Sequence, residues 1–393
     1  MTNKVADRMG LLHTESAFQV LARANALEAQ GRSIIHLEIG QPDFKTPQNI
    51  IDAACRAMNE GKTGYTPAPG IIPLRETIAR YCEDYKKVKT CPEEIVVVPG
   101  GKPIMFFTML MLAQPGDEVI YPNPGFPIYE SIINFSGAKP VPMPLLQKNN
   151  FSVDKDQLKR DINSKTKLII LNNPSNPTGG MIKREDIIAI ADMVRGKGIY
   201  ILADEIYDRI VFEGQPLSIA ALPGMKDWTI ILDGFSKTYA MTGWRLGYGI
   251  MNKELAEYMT MLMVNSASCA ASMTQWAAIE ALAGPQDAVK EMAGAFRERR
   301  DYLIDALNSI SGIKCVMPGG AFYAFPDISS FGISSSEFAN RLLEEAGVAA
   351  AAGTAFGNFG EGFIRLSYAN SPDNLKIAVD RLAKFCRRLL SSV

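Results

Sequence analysis

The sequence predicts an α/β protein with a doubly wound, mainly parallel sheet and a second, smaller domain. From residue 95 onward, short β-branched runs alternate with longer stretches of helical periodicity, which is the pattern of a parallel sheet flanked by helices. A chain of 393 residues is long for one hydrophobic core and suits a large domain plus a smaller one. We place the large domain at 47–285. The smaller α+β domain would combine an N-terminal arm and adjoining piece over 1–46 with a C-terminal piece over 286–393.

Helices and turns make up the first part of the chain. The apolar spacing predicts an amphipathic helix over 16–30, which a glycine ends, and two further helices over 47–60 and 73–85. An extended segment over 34–39 leads from the first helix into a turn. The segment 64–70 holds two prolines and two glycines and is therefore predicted to be a loop.

Short β-branched runs are predicted to form the central sheet. The six candidate strands are Ile95–Val98, Glu118–Tyr121, Leu168–Leu171, Tyr200–Ala203, Thr229–Leu232 and Gly247–Met251. Most of them are joined by helices predicted at Lys102–Leu112, Phe126–Phe135 and Arg184–Arg195. Because ligands of such sheets bind at the carboxyl ends of the strands, polar residues just after these runs are the candidate site residues.

The last third of the chain is predicted to be mostly helical. A long charged helix is expected over 286–308 and a closing helix over 373–391. Between them, Cys315–Val316 and Ala321–Phe325 are predicted to pair as a hairpin around a Pro-Gly-Gly turn. Phe363–Ser367 is predicted to be a further strand.

Composition excludes several classes of function. A formal net charge of −1 gives no basic excess for binding nucleic acid or an anionic membrane surface, and no apolar run is long enough to span a bilayer. The charged N-terminus does not fit a signal peptide, and six cysteines without a Cys-x-x-Cys pair suit a reducing cytoplasm. Two histidines are too few for a histidine-built metal site or a serine–histidine triad. We therefore expect a cytoplasmic protein without a metal, whose chemistry uses lysine, tyrosine or carboxylates.

The stretch from Thr229 to Met251 carries the most informative pair of charged residues. Lys237 follows a buried strand, where lost solvation favours the neutral, nucleophilic amine. Arg245 lies among glycines and apolar residues, where its planar guanidinium suits a phosphate or a carboxylate. An aldehyde that carries a phosphate would satisfy both side chains, which points to pyridoxal 5′-phosphate (PLP). A solvated loop is the competing interpretation of the lysine.

Two loops after predicted strands add candidate ligand contacts. Gly100, Gly101 and Lys102 precede a helix, so their N–H groups and the helix dipole suit an anion, although an ordinary strand-to-helix turn explains them as well. The segment Asn172–Gly179 contains two Asn-Pro steps, which exclude helix and would aim the Asn176 amide at a ligand. The glycine fingerprints of Walker loops and dinucleotide-binding loops are missing from the sequence.

Asp204 follows the predicted strand Tyr200–Ala203 and begins the sequence Asp-Glu-Ile-Tyr. A carboxylate at the end of a buried strand is costly unless a cation or hydrogen-bond donors meet it. The protonated ring nitrogen of PLP would be such a cation. An aspartate that caps the next helix is the alternative interpretation.

Six motifs in this order resemble those of PLP-dependent aminotransferases of fold type I, in the class I/II aminotransferase family. They are Gly40-Gln-Pro-Asp-Phe, Tyr65 with Gly70, Asn173-Pro-Ser-Asn-Pro-Thr-Gly, Asp204-Glu-Ile-Tyr, Ser236-Lys-Thr-Tyr-Ala-Met-Thr-Gly-Trp-Arg-Leu-Gly-Tyr and Phe363-Ile-Arg-Leu-Ser-Tyr-Ala. The match covers essentially the whole chain. The resemblance implies a large domain with a mainly parallel seven-stranded sheet between helices.

The resemblance implies catalytic roles for three residues. Lys237 would hold PLP as a Schiff base and would then carry a proton once the substrate displaces it. Asp204 would pair with the ring nitrogen and keep the ring electron-poor. Tyr207, together with Asn176, would hydrogen-bond the phenolic oxygen of the ring.

The resemblance also implies contacts to the ring face and the phosphate. Phe126 would stack on the ring. The phosphate would be bound by Gly100, Gly101, Lys102, Ser236 and Arg245, and by Tyr65 of a second subunit, so a homodimer with shared sites is expected. Gly234 stands where many relatives have a serine that touches the phosphate, so either Ser236 serves instead or this contact is missing.

Substrate contacts are implied as well. Arg365 would bind the α-carboxylate, helped by Asn176 and the backbone at Gly40; a strand arginine that faces solvent is the alternative. Lys102 would approach the distal carboxylate of aspartate or glutamate, and a lysine directed to solvent is the alternative. Four aromatic residues would instead shape a pocket for an aromatic substrate or belong to the core: Phe18, Tyr239, Phe322 and Tyr323.

The implied activity is that of an aminotransferase. It would move the amino group of an L-amino acid, with aspartate, glutamate or aromatic donors favoured, to a 2-oxo acid by a ping-pong mechanism through pyridoxamine phosphate. A PLP-dependent C–S β-lyase or decarboxylase on the same fold is the alternative, because the same carbanion can partition differently. An effector-binding regulator with a fused DNA-binding segment does not suit the short N-terminal arm, and a nicotinamide dehydrogenase would need the glycine fingerprint.

Overall fold

The computed structural model of the protein describes residues 5–12, 14 and 16–391. Its strands, in chain order, are β1 Ile35–His36, β2 Ile95–Val98, β3 Glu118–Asn123, β4 Lys139–Pro144, β5 Thr166–Asn172, β6 Tyr200–Asp204, β7 Thr229–Gly234, β8 Gly247–Ile250, β9 Tyr323–Ala324, β10 Val348–Ala349, β11 Ala351–Ala352 and β12 Ile364–Ser367. Its α-helices are α1 Ser16–Ala29, α2 Gln48–Asn59, α3 Ile72–Tyr81, α4 Lys102–Leu112, α5 Ile128–Ser136, α6 Lys155–Asp161, α7 Arg184–Val194, α8 Lys253–Ser266, α9 Ser272–Ala283, α10 Asp287–Asn308, α11 Ser335–Arg341 and α12 Pro372–Ser391.

A seven-stranded sheet with the order β2-β8-β7-β6-β5-β3-β4 forms the centre of the fold. Strand β8 runs antiparallel to both of its neighbours, and all other neighbouring strands are parallel. The predicted fold class, with its mainly parallel seven-stranded sheet, is therefore confirmed. Strands β5, β6 and β7 lie side by side, so the residues after their carboxyl ends meet at one edge of the sheet.

Strand β4 is the member of this sheet that the sequence analysis did not identify. Its sequence, Lys-Pro-Val-Pro-Met-Pro, contains three prolines, which argues against a strand in the interior of a sheet. It lies at the edge of the sheet and pairs only with β3. An edge strand tolerates prolines, because no second strand needs the N–H groups that proline lacks.

The central sheet is buried on both faces. All four residues of β2 are fully buried, and they alternate between two parts of the core. Val96 and Val98 pack in a cluster with residues of α4, α5 and α8, whereas Ile95 and Val97 belong to a cluster with residues of α2, α3 and α9. Helices therefore cover both faces, as the alternation of strands and helices predicted.

The prediction that Cys315–Val316 and Ala321–Phe325 pair as a hairpin is wrong. Lys314 and Asp327 pair instead through an isolated antiparallel bridge, and β9 is hydrogen-bonded to β12. The Pro-Gly-Gly turn does not close a hairpin. The N–H groups of Gly319 and Gly320 instead donate to the carbonyl of Gly179, at 2.9 and 3.1 Å.

The two ends of the chain pack against each other. Strand β1 pairs in parallel with β10, which places Ile35 beside Val348. Ala24 and Leu27 of α1 pack with Leu343 and Ala349. These contacts support the division at 1–46, 47–285 and 286–393, which we keep as a proposal. None of the helices in the described part of the chain is long and apolar enough to cross a membrane.

Candidate active site

A cavity of about 670 Å³ lies at the carboxyl ends of β5, β6 and β7. Eleven of the predicted site residues line it: Gly40, Gly101, Lys102, Phe126, Asn176, Asp204, Tyr207, Ser236, Lys237, Arg245 and Arg365. Gly100 is not among the lining residues but adjoins Gly101. The side chain of Tyr65 stands away from this cavity, with 94% of its surface exposed.

Asp204 is the last residue of β6 and is almost completely buried. Its Oδ2 accepts a hydrogen bond from the Tyr129 hydroxyl at 2.5 Å, and its Oδ1 accepts from the backbone N–H of Ile206 at 3.3 Å. Burial raises the pKa of Asp204 to about 6, whereas the Tyr129 hydroxyl acts in the opposite direction and stabilises the charged form. A buried carboxylate with two donors is ready to accept a third hydrogen bond from a cationic group in the cavity.

Tyr129 is a site residue that the sequence analysis missed. It lies on α5, one helical turn after Phe126, and is fully buried at the cavity wall. The only available signal was a general one, since a buried tyrosine hydroxyl usually finds a hydrogen-bond partner. Its ring meets the Phe126 ring edge to face, with centroids 5.7 Å apart.

Lys237 lies shortly after β7, where its ammonium group donates a hydrogen bond to the backbone carbonyl of Gly40. The strand end itself is tightly packed: a Cβ added to Gly234 would lie 2.9 Å from the Cα of Gly247. A serine at position 234 would therefore require β8 to shift. Ser236, two residues after Gly234, lines the cavity and carries a hydroxyl group.

The turn between β2 and α4 holds the Arg245 side chain. Gly100 has φ +80°, and a Cβ at this position would collide with the Arg245 guanidinium, so both backbone conformation and space favour glycine. Arg245 Nη1 also donates to the backbone carbonyl of Thr242 at 2.9 Å. The guanidinium is thereby fixed beside the N-terminal end of α4, which is the arrangement that binds an anion.

Arg365 on β12 is only 4% exposed, so the alternative of a solvent-facing strand arginine is wrong. The carbon Cζ of its guanidinium lies 4.6 Å from the centroid of the Tyr323 ring and 4.8 Å from that of the Phe356 ring. Nη1 donates to Asn176 Oδ1 at 3.1 Å, and Nη2 donates to the backbone carbonyl of Glu38. Nε is buried without a hydrogen-bond partner, and no salt bridge to Arg365 occurs within the described part of the chain.

Tyr207 and Tyr323 form a hydroxyl pair at the cavity, with their oxygens 2.7 Å apart. The Tyr323 hydroxyl also lies against Gly40, where a Cβ would collide with it. Of the other aromatic residues considered from the sequence, Phe18 lines the cavity, whereas Phe322 and Tyr239 are buried in the core.

Asn176 and Lys102 complete the cavity wall. The Asn176 backbone N–H donates to Asn172 Oδ1 at 2.8 Å, which fixes the loop after β5. Lys102, the first residue of α4, places its Nζ 5.6 Å from the centroid of the Phe126 ring. The described residues that line the cavity therefore bring the buried carboxylate of Asp204 together with four cationic side chains: Lys102, Lys237, Arg245 and Arg365.

Known proteins match this chain along almost its whole length. The profile of the family "Aminotransferase class I and II" matches residues 32–382. The aspartate aminotransferase of Geobacillus stearothermophilus is 39% identical over 389 residues, which cover 97% of this chain and 98% of the relative. The structure of the Thermus thermophilus aspartate aminotransferase with maleate superposes with a TM-score of 0.93 at 35% identity, covering 98% of this chain and 100% of that chain. The aromatic aminotransferase from Pyrococcus horikoshii OT3 gives a TM-score of 0.89 at 36% identity, covering 94% and 100%.

The six motifs of the sequence analysis all lie inside the matched range, and five of them contribute side chains or backbone to the cavity. The matched range therefore includes the residues of the cavity as well as the rest of the fold. The chain belongs to the aminotransferase class I and II family, and it is a PLP-dependent enzyme of fold type I that moves an amino group between an amino acid and a 2-oxo acid.

Proposed function

We propose that this aminotransferase prefers amino donors with two carboxylates, aspartate and glutamate. The observation that carries the proposal is that one cavity holds two cationic side chains for two carboxylates, Arg365 and Lys102. Arg365 is a buried guanidinium whose Nε has no hydrogen-bond partner and which forms no ion pair with the described residues. A buried charge of this kind is costly without a counter-ion, and a substrate α-carboxylate would supply one. Lys102, on another wall of the same cavity, would meet the second carboxylate.

The relatives support this preference. The Geobacillus and Thermus proteins are aspartate aminotransferases, and the Thermus structure contains maleate, a small molecule with two carboxylates. Elimination of the C–S β-lyase type and decarboxylation, the alternatives considered from the sequence, are not favoured, because these relatives are aminotransferases.

The side chains around the cavity fit PLP. The group supplies a ring that draws electrons from the substrate Cα. Asp204 would accept a hydrogen bond from the ring nitrogen, and Phe126 would pack on the ring face. Tyr207 and Asn176 would donate to the phenolic oxygen. The phosphate would be bound by backbone N–H groups of Gly100, Gly101 and Lys102 and by the side chains of Ser236 and Arg245.

Lys237 and Arg365 would act on the substrate. Lys237 Nζ, in its neutral form, would accept the proton that leaves the substrate Cα. Arg365 would fix the α-carboxylate, with Asn176 as a neighbour and the Gly40 backbone beside it. The guanidinium is restrained by its hydrogen bonds to Asn176 Oδ1 and the Glu38 carbonyl and by its contacts with the Tyr323 and Phe356 rings, so its orientation toward a carboxylate is fixed before the substrate binds.

Aromatic amino acids are the second candidate class of donor. Phe18 lines the cavity and is 58% exposed, so an aromatic substrate side chain would find an apolar contact there. The similarity to an aromatic aminotransferase supports this candidate.

A homodimer that works in the cytoplasm completes the proposal. The 94% exposed Tyr65 side chain is available to a second subunit. Exposed apolar side chains at Tyr258, Met261 and Val264 of α8 are suited to an interface. All six cysteines have free thiols, as a reducing compartment requires.

Steady-state kinetics with four donors and 2-oxoglutarate would test the preference. We expect kcat/KM for aspartate and glutamate to exceed that for phenylalanine and alanine, and Lys102→Ala to lower only the first two by about tenfold, roughly 1.4 kcal/mol. Lys197→Ala, which removes an exposed lysine near the amino end of β6, is the matched control. An equal loss on all four donors would rule out the role of Lys102, and a wild-type preference for phenylalanine would support the second candidate.

A further inference from the structure

A buried group of four charged residues lies directly behind the cofactor cavity. The Lys86 side chain is 2% exposed and bonds to three carboxylates at once. Its Nζ lies 2.9 Å from Glu205 Oε2 and 3.0 Å from Asp233 Oδ2, and it forms a still closer ion pair with Asp208. We call these four residues the Lys86 cluster.

Two carboxylates of the Lys86 cluster directly follow residues of the cofactor site, and the third lies four residues before Lys237. Glu205 directly follows Asp204, and Asp208 directly follows Tyr207. Asp233 belongs to β7, the strand that leads to Lys237. One ammonium group therefore ties the chain at the ends of β6 and β7, next to the three residues to which we assign catalysis.

The Lys86 cluster adjoins open space on one side. A second cavity of about 290 Å³ is lined by Lys86, Asp204, Glu205 and Asp208. On the side of this open space, the chain after β6 is restrained by the ion pairs of Lys86 and by a hydrogen bond from the Tyr85 hydroxyl to the Asp208 backbone carbonyl at 2.8 Å. Asp233 has two further partners, the Tyr248 hydroxyl at 2.9 Å and the Gly234 N–H at 2.6 Å.

Lys86 remains charged in this environment. Burial acts against the ammonium form, but the carboxylates of Asp208, Asp233 and Glu205 together raise the pKa of Lys86 well above its ordinary value. The cluster thus contains a permanent cation surrounded by acceptors. In low dielectric such a cation orients its partners strongly.

We propose that Lys86 is a positioning residue for catalysis, which acts by holding Glu205, Asp208 and Asp233 and thereby fixing Asp204, Tyr207 and Lys237 around the cofactor. The inference rests on the proposed roles of these last three residues. It assigns no contact between Lys86 and the substrate, since Arg365, the proposed substrate residue, belongs to the separate strand β12.

The test is Lys86→Met, with Lys87→Met, the exposed neighbouring lysine, as the control. We expect the melting temperature of the PLP-free protein to fall by roughly 5–10 °C. At a temperature where the variant is folded, we expect the PLP dissociation constant to rise and kcat to fall, each by about tenfold. The amino-donor KM should change less than about twofold, because Arg365 is untouched. Lys87→Met should leave all four quantities unchanged.

A folded Lys86→Met enzyme whose PLP affinity and kcat equal those of the wild type would overturn the proposal and leave Lys86 a purely structural role. A rise in KM with unchanged kcat would overturn it as well. If Lys86→Met does not fold, Lys86→Arg keeps the charge but alters the donor geometry, and the same readouts apply with smaller changes expected. A wild-type protein without aminotransferase activity would refute the proposed function instead, so the two failures are distinguishable.

Discussion

Asp204 shows how single residues set the chemistry of the cavity. Its carboxyl group is buried, which raises its pKa to about 6, and the Tyr129 hydroxyl and the Ile206 N–H partly compensate for the lost solvation. At neutral pH the carboxylate form therefore prevails and would meet the cationic ring nitrogen of PLP. The Tyr129 donor could not be predicted from spacing, because it reaches Asp204 from a helix 75 residues earlier in the chain.

The raised pKa predicts that Asp204 destabilises the PLP-free protein as the pH rises. An aspartate with a folded pKa of about 6 and a usual value of 3.8 keeps its proton longer in the folded state, so the free energy of unfolding falls between about pH 4 and pH 6. Asp204→Asn removes this pH dependence. The total change in the free energy of unfolding that is lost with it is at most about 3 kcal/mol. Urea unfolding at pH 4.5 and 7 would measure it, with exposed Asp192→Asn as the control. Equal slopes in wild type and Asp204→Asn would contradict the assignment.

Tyr129→Phe should weaken cofactor binding without removing a packed ring. The lost hydroxyl leaves the Asp204 carboxylate with one donor fewer, which favours the protonated acid and weakens its pairing with a ring cation. A hydrogen bond to a charged group contributes about 1.5–3 kcal/mol, so we expect the PLP dissociation constant to rise by roughly tenfold or more. Tyr121→Phe, at a buried tyrosine that does not line the cavity, is the control. A dissociation constant within twofold of wild type would show that Tyr129 has no such role.

At the scale of elements, the turn between β2 and α4 joins backbone conformation to ligand binding. Gly100→Ala places a Cβ at φ +80° and against the Arg245 guanidinium. Gly196 has nearly the same conformation, φ +75°, but a Cβ added there would have no neighbouring atom within 4 Å. Comparing Gly100→Ala with Gly196→Ala therefore distinguishes the effect of backbone strain from the effect of displacing the Arg245 side chain.

We expect both substitutions to lower the free energy of unfolding by about 1 kcal/mol. Only Gly100→Ala should also raise the PLP dissociation constant, because only there does the new methyl group displace Arg245. Unfolding curves and cofactor titrations of the two variants check this. If Gly196→Ala weakened PLP binding as much, the effect could not be attributed to the arginine.

The strands that could be predicted are those whose own residues form a continuous apolar run. Continuous apolar runs such as Ile95–Val98 identified six of the seven central strands, because a strand covered on both faces needs such a run. Strand β4 was missed, since its three prolines are compatible with a strand only at an edge, and edge position is decided by the whole sheet. The prediction of a hairpin at 315–325 also failed because of contacts between distant parts of the chain, since the N–H groups of Gly319 and Gly320 donate to the carbonyl of Gly179.

The residues of the candidate site likewise fall into those that the sequence predicted and those that depend on distant contacts. Asp204, Lys237 and Asn176 follow strand ends, where chemistry is expected from topology alone. Tyr129 and Phe356 could not be predicted, because their places at Asp204 and Arg365 depend on contacts between elements far apart in sequence. The family resemblance supplied the role of Arg365, which alternation along β12 had left open.

For the whole molecule, the proposed homodimer makes a specific prediction about shared sites. If Tyr65 of one subunit completes the phosphate site of the other, Tyr65→Phe and Lys237→Ala should complement each other. A mixed dimer then has one site with an intact lysine and an intact tyrosine. Co-expression should give more activity than the sum of the two separate variants, measured as kcat per PLP site. Activity equal to that sum would refute the shared site.

The roles proposed for the cavity residues all depend on the amine of Lys237 forming the bond to the cofactor aldehyde. Borohydride reduction of the purified enzyme, followed by digestion and mass spectrometry of the peptides, tests it most directly. We expect a pyridoxyl phosphate group on the peptide containing Lys237, about one per chain, and none on the peptide containing Lys102. An unlabelled Lys237 peptide, or a label on a different lysine, would contradict it.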